Sequence, residues 1–141
     1  MESSGNKLII AGYSEYPGPR YCVQGDNSGE DFYHSILNDA FYLAVTKQEK
    51  LTVDLDGTAG YASSFLDEAF GNLSYDYSSE TVKKYLVIIS NQEPDWKDTI
   101  MNHIIPDWEQ RRTKGNKPKK THNHAEWYRL ENGTLTKKIW S

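Results

Sequence analysis

The sequence predicts an α/β fold, in which a mixed sheet with a parallel portion is covered by about three helices and followed by a C-terminal β-hairpin. Strand-like apolar runs alternate with helical stretches, as in parallel strands joined by helical crossovers. The run at residues 85–89 is apolar without alternation, which is typical of a strand that helices cover on both faces. Near the end, Asn132-Gly133 separates two strand-like runs, a strong hairpin signal.

In the first third of the chain, strands are predicted at residues 7–13 and 20–24, separated by a turn at residues 17–19 (PGP). Ser28, with an acidic residue three positions later, resembles a capping box. Apolar residues then recur at helical spacing over residues 32–44, which predicts the first long helix.

The middle of the chain continues the alternation. A strand is predicted at residues 51–55 and a second helix at residues 64–74. Residues 85–89 are expected to form a central strand. A third helix is expected to begin near Pro94, and Pro106 is expected to break or kink it because proline lacks a backbone donor.

With 141 residues and 37% hydrophobic composition, the chain is long enough for one compact domain. We expect this domain to span residues 1–110 and a mobile basic linker to span residues 111–124. Residues 125–141 are expected to form a hairpin packed on the domain or on a partner, which makes a homo-oligomer through the hairpin one option.

Residues 1–6 are polar, and no apolar run approaches the roughly 18 residues that a membrane span requires. Neither a signal peptide nor a membrane anchor is therefore expected, and the predicted location is the cytoplasm. Cys22 is the only cysteine, which excludes an internal disulfide. Its apolar neighbours favour a buried strand position over a nucleophile.

A five-residue motif after the third predicted strand, Asp54-Leu55-Asp56-Gly57-Thr58, resembles the first motif of haloacid-dehalogenase-like phosphatases. That resemblance implies Asp54 as nucleophile, Asp56 in proton transfer and Mg²⁺ as cofactor, with Ser90 as the second motif. Such enzymes need a further strand that ends in magnesium-binding acids. The remaining candidates, Asp95, Asp98 and Asp107, fall on a predicted helix instead, so the phosphatase is kept as the alternative.

A longer set of motifs covers more of the chain. Residues 16–21 (YPGPRY), 28–32 (SGEDF) and 51–73 (LTVDLDGTAGYASSFLDEAFGNL) together resemble the STAS-like domain family of unknown function. The resemblance extends over roughly residues 7–110. That family is similar in turn to the anti-sigma-factor antagonists, which are small bacterial α/β domains that carry a phosphorylatable serine at a helix start.

The resemblance implies a non-enzymatic signalling module that binds a protein partner, such as a histidine-kinase-like ATPase, and is switched by phosphate. It places the phosphoserine at Ser63, with Ser64 after it. Ala62 and Phe65 stand where the antagonists have aspartate and glycine. The predicted partner surface, here called the tip surface, is residues 57–68, with six candidate contacts: Gly57, Thr58, Tyr61, Ser63, Ser64 and Asp67.

The charges near this helix start would both attract and repel a phosphate on Ser63. A helix N-terminus offers unpaired N–H groups and a partial positive charge to a phosphate. Asp67 and Glu68 in the first turn would repel it. The competing interpretation is that Ser63 or Ser64 is only an N-cap, worth about 1 kcal/mol relative to alanine.

The charge distribution is asymmetric, because residues 1–110 carry 7 Lys/Arg against 18 Asp/Glu, whereas residues 111–141 carry 9 against 2. A basic segment followed by aromatic residues also fits nonspecific nucleic-acid binding, which we weigh against a linker whose hairpin packs on the domain. The candidate contacts are Arg111, Arg112, Lys114, Lys117, Lys119 and Lys120. His122 and His124 are expected to be solvated, so no metal site is predicted. Residues 25–29 lack the Gly-Lys-Ser/Thr of a phosphate-binding loop, and no cofactor is predicted.

Overall fold

The computed structural model describes residues 6–140, so the polar residues 1–5 and Ser141 of the predicted hairpin segment lie outside it. Its main sheet has three parallel strands: β1 (Lys7–Ile9), β2 (Leu51–Asp54) and β3 (Leu86–Ile89). This confirms the predicted α/β class. The central strand is β2.

The prediction that residues 85–89 form the central strand, covered on both faces, is wrong. Among the strands of residues 6–140, β3 pairs with β2 alone, and Leu86 and Ile88 are buried whereas Val87 and Ile89 are half-buried. This alternation is that of an edge strand with one covered face. An apolar run indicates burial, but it does not distinguish an edge strand from a central one.

Helical segments make up most of the remaining domain. They are α1 (Ile10–Tyr13), α2 (Gly29–Phe32), α3 (Asn38–Lys47), α4 (Ser63–Tyr77), α5 (Ser79–Tyr85), α6 (Asp95–Thr99) and α7 (Ile105–Lys114). π-helical turns at Tyr33–Leu37 and Ile100–Ile104 join α2 to α3 and α6 to α7. The three helices predicted from periodicity are thus confirmed, with the middle one starting at Ser63.

Of two local sequence signals, one at Ser28 and one at Pro106, the first had the predicted effect and the second did not. The hydroxyl of Ser28 accepts a hydrogen bond from the backbone N–H of Asp31 at 3.0 Å, so the predicted N-cap of the first helix is confirmed. Pro106 does not break the last helix, because it occupies the first turn of α7 directly after a π-helical turn. The widened turn accommodates the missing donor and the ring.

The predicted strand at residues 20–24 is wrong, because Cys22–Gln24 forms a 3₁₀ turn. Side chains take the backbone donors that a sheet would have used. The Cys22 N–H donates to Glu30, and the Val23 N–H donates to the hydroxyl of Thr121. Cys22 is consequently half-buried on a turn and not buried in a strand.

Helix α4 runs through the middle of the core. Gly71 permits its contact with α7, because a Cβ on Gly71 would lie 2.1 Å from a ring atom of Trp108. Phe65, Leu66 and Phe70 on the same helix are fully buried. The position of α4 fixes its first turn relative to the sheet, which sets the geometry of the tip surface.

A separate hairpin, β4 (Trp127–Glu131) and β5 (Thr134–Lys138), ends the described chain. It packs on the domain, since the side chain of Asn38 hydrogen-bonds both the N–H and the carbonyl of Tyr128 at 2.9 and 3.0 Å. The ring of Tyr128 stacks on Tyr42 with centroids 3.5 Å apart. Among the helices that residues 6–140 form, none has the length and apolar character that a bilayer crossing requires.

Candidate functional site

The two acids at the end of β2, Asp54 and Asp56, accept hydrogen bonds from backbone N–H groups of nearby loops. Asp54 Oδ1 accepts from the N–H of Asp56 at 2.9 Å, and its other oxygen lies 3.8 Å from Lys7 Nζ. Asp56 Oδ1 accepts from the N–H groups of Asn91 and Gln92, both at 2.9 Å. Asp56 therefore ties the loop after β2 to the loop after β3.

Both acids accept hydrogen bonds from nearby backbone, so each has a role in holding the loops that requires no substrate. Ser90, which resembled the second phosphatase motif, donates its hydroxyl to the carbonyl of Glu93 at 2.6 Å. The structure thus gives all three residues roles in loop geometry.

The loop that opens the tip surface is exposed but fixed at three points. The N–H of Gly57 donates to Gln92 at 2.7 Å, and the N–H of Ala59 donates to the carbonyl of Glu15 at 2.8 Å. The hydroxyl of Tyr61 donates to the carbonyl of Leu55 at 2.7 Å. Burial raises the pKa of Tyr61 to about 12, so it stays protonated as this donor. The loop is therefore preorganised.

The start of α4 differs from the capping interpretation. The N-cap position is Ala62, with no side-chain cap hydrogen bond, so neither Ser63 nor Ser64 caps the helix. Ser63 is exposed and Ser64 is half-buried. Because Ala62 supplies no side-chain acceptor and the Phe65 N–H donates to the Ala62 carbonyl at 3.1 Å, the N–H groups of Ser63 and Ser64 are left for solvent or for a bound group.

Asp67 and Glu68 lie beyond the first turn of α4, not in it as expected, and both are paired. Asp67 accepts from Arg20 at 2.6 Å and from the indole N–H of Trp108 at 3.1 Å. The buried Glu68 accepts from Arg20 at 3.3 Å and from the side-chain amide of Asn72 at 2.8 Å. The repulsion expected between these acids and a phosphate on Ser63 is therefore reduced by the Arg20 guanidinium.

The predicted basic segment is largely bound to the domain. Residues 111–114 belong to α7, where Arg111 lies over the ring of Trp108 and Arg112 pairs with Glu109 at 2.9 Å. Lys120 donates to Asn72 at 2.7 Å, and burial lowers the pKa of Lys120. Lys114, Lys117 and Lys119 are exposed. Residues 111–114 are therefore helical and not part of the mobile linker expected at residues 111–124, and fewer of the six candidate nucleic-acid contacts are free of bonds to the domain.

Sequence reasoning missed the role of Glu30, a fully buried carboxylate at the start of α2. Its oxygens accept from Thr121 Oγ1 at 2.6 Å and His124 Nε2 at 2.6 Å, and also from the N–H groups of Cys22, Thr121 and His122. Burial alone would raise the pKa of Glu30, but the hydrogen bonds from Thr121 and His124 outweigh it and lower the pKa to about 2. The expectation that His124 is solvated is wrong.

A second missed feature is a polar stripe on the buried side of α4, formed by Glu68, Asn72 and Asp76. Each pairs with a distant cation, and Asp76 accepts from Arg129 of the hairpin at 2.6 Å. Spacing of four residues puts such side chains on one helix face. This spacing was the available signal, because polar residues repeated along an apolar helix face indicate buried ionic partners.

Together, the fold and the site define a small α/β domain that presents a fixed loop and an uncapped helix start at its surface. Residues 28–96 match the family model of the STAS-like domain of unknown function (DUF4325), which confirms the resemblance seen in the sequence. The match begins at the N-cap of α2 and ends in α6, so it includes the tip surface but neither β1 nor the hairpin. No curated protein and no solved structure matches the chain.

The match indicates a regulatory module, since STAS-like domains are often protein-interaction modules and generally have no enzymatic activity. It assigns neither a partner nor a mechanism to this chain.

Proposed function

We propose that this protein is a non-enzymatic regulatory module that docks with a protein partner through the tip surface, residues 57–68. The observation that carries the proposal is the combination of exposure and rigidity there. Gly57, Ala59 and Ser63 are exposed, while two hydrogen bonds hold the loop to separate segments at Glu15 and Gln92 and a third joins Tyr61 to the residue after β2. A surface fixed in this way loses little conformational entropy when a partner binds.

We further propose that a phosphate on Ser63 switches this docking, and that the partner is a histidine-kinase-like ATPase. The exposed hydroxyl is accessible to a kinase, and the uncapped first turn of α4 offers N–H donors to the phosphate. Arg20 already offsets the charges of Asp67 and Glu68. The guanidinium of Arg20 thus reduces the repulsion that the sequence alone predicts between these two acids and the phosphate.

The test is a comparison of captured partners. Wild type, a Ser63→Asp/Ser64→Asp variant and a control variant are used as bait in lysate of the native cell, and each retained protein is then purified and its Kd measured. Asn132→Asp/Thr134→Asp is the matched control, since it adds the same charge at exposed positions of the hairpin turn.

A partner that binds wild type and the control equally, but binds the Ser63/Ser64 variant about 10-fold more weakly or more tightly, supports the proposal. A shift of this size corresponds to about 1.4 kcal/mol. Equal binding of every partner by all three proteins would remove the tip surface as the docking site.

A further inference from the structure

Three side chains with metal-binding atoms converge outside the residues of the tip surface. They are Cys22 on the 3₁₀ turn, Glu30 at the start of α2 and His124 before the hairpin. The Cys22 sulfur, a Glu30 carboxylate oxygen and a His124 ring nitrogen all lie within 4.8 Å of one another. Cys22 and Glu30 are 8 residues apart, but His124 lies 94 residues after Glu30, so the sequence shows no metal-binding spacing motif.

We propose that Cys22, Glu30 and His124 bind a zinc ion. Thiolate, carboxylate and imidazole are the three ligand types that zinc takes in proteins. Three protein ligands leave a fourth position for water. Cys22 and His124 also line a cavity of about 480 Å³, which gives that fourth position access to solvent.

The charges around the group favour a cation. Asp26 and Asp31 line the same cavity, so their carboxylates add negative charge beside the three ligand side chains.

The His124 ring is already held in the orientation that a ligand needs. It stacks on His34 with centroids 3.8 Å apart and planes 10° from parallel. Its Nε2 atom lies 2.6 Å from Glu30 Oε2, joined by one proton. Fixing of ligand orientation by neighbouring groups is a regular feature of metal sites.

Binding requires a small rearrangement. Zinc bonds of about 2.0–2.1 Å in tetrahedral geometry separate two ligand atoms by roughly 3.3 Å, so Glu30 Oε2 and His124 Nε2 must move apart by several tenths of an ångström. The zinc ion replaces the proton between them, and the Cys22 thiol loses its own proton to solvent. Glu30 Oε1 keeps its hydrogen bonds from Cys22 N–H and Thr121. The affinity should therefore increase with pH.

The experiment uses the full, untagged and reduced chain, with Zn²⁺ or Co²⁺ alone as the probe. Zinc affinity is measured by competition with a chromophoric chelator, and cobalt is used to detect sulfur ligation through its thiolate charge-transfer absorption. The variants are Cys22→Ser and His124→Asn. His122→Asn is the matched control, because His122 lines the same cavity but lies outside the ligand group.

We expect one zinc ion per chain and a cobalt–thiolate band in wild type. The band should disappear in Cys22→Ser, and His124→Asn should weaken zinc binding by at least about 10-fold, the lower bound seen even for outer-shell partners. His122→Asn should bind as wild type does. Wild type without stoichiometric zinc or without the cobalt band would overturn the proposal, as would equal losses in the two histidine variants.

Discussion

Replacing Glu30 by glutamine should weaken the contact that holds residues 121–124 to the start of α2. Both carboxylate oxygens of Glu30 act as hydrogen-bond acceptors. Oε1 accepts from two donors, on Cys22 and Thr121, and Oε2 accepts from three, on Thr121, His122 and His124. A glutamine amide has one oxygen and one NH₂ group, so at least two of these donors would face another donor.

The magnitude follows from the lost charge-assisted bonds. Each hydrogen bond to a charged group contributes about 1.5–3 kcal/mol, and leaving a buried donor unpaired costs a similar amount. Two lost bonds therefore predict that Glu30→Gln lowers the free energy of unfolding by roughly 3–5 kcal/mol. The exposed residue Glu126 gives the matched control, since Glu126→Gln should change stability by no more than about 0.5 kcal/mol.

The assay is urea unfolding at pH 7, followed by tryptophan fluorescence, with a chelator present so that metal does not contribute to stability. Trp127 is 3% exposed and its ring lies beside His34, so its emission reports release of the hairpin. A loss below about 1 kcal/mol, or one equal to that of Glu126→Gln, would refute the assignment of Glu30 as the anchor of this segment.

Three further predictions concern packing, pH and the loops. Gly71→Ala should destabilise by about 1–3 kcal/mol because its Cβ would overlap the Trp108 ring, whereas Gly12→Ala, with no atom within 4 Å, should cost far less; thermal unfolding compares them. Burial lowers the pKa of His34 to about 2 from 6.5, so the unfolded chain binds the extra proton and stability should fall below pH 6.5, by up to about 1.4 kcal/mol per pH unit. Urea titrations from pH 7 to 5 should show this slope in wild type and a flatter one in His34→Leu. Asp56→Asn should cost about 1–2 kcal/mol and speed hydrogen exchange at the N–H of Asn91, while unchanged exchange would contradict its loop-bridging role.

Local patterns predicted the elements whose stability is local. The Ser28 cap and the helical spacing after it correctly identified the first long helix. The Asn-Gly dipeptide correctly identified the hairpin, and both its residues have positive φ. The strand at residues 20–24 failed because the donor at Val23 is satisfied by Thr121, 98 residues later. No window along the chain contains that information.

The same difference between local and long-range contacts applies to the candidate site. The sequence correctly indicated an exposed serine at the start of a helix after β2, because this depends on neighbouring residues. It did not predict that Arg20 pairs with Asp67 and Glu68, which lie 47 and 48 positions away. The sign of the electrostatic effect on a Ser63 phosphate depends on that tertiary contact. A count of the acidic residues near the helix start omits that contact.

Helix α4 links the tip surface to the C-terminal segment. Its exposed end carries Ser63, while Glu68, Asn72 and Asp76 along its buried side bind Arg20, Lys120 and Arg129. Those cations belong to the turn before α2, the segment after α7 and the hairpin. If α4 moved away from Arg20 or Arg129, Glu68 or Asp76 would become an unpaired buried carboxylate, which typically costs about 3–5 kcal/mol. A partner at the tip surface therefore meets the end of a helix that is held along its length, which favours docking onto a preformed surface over docking that orders it.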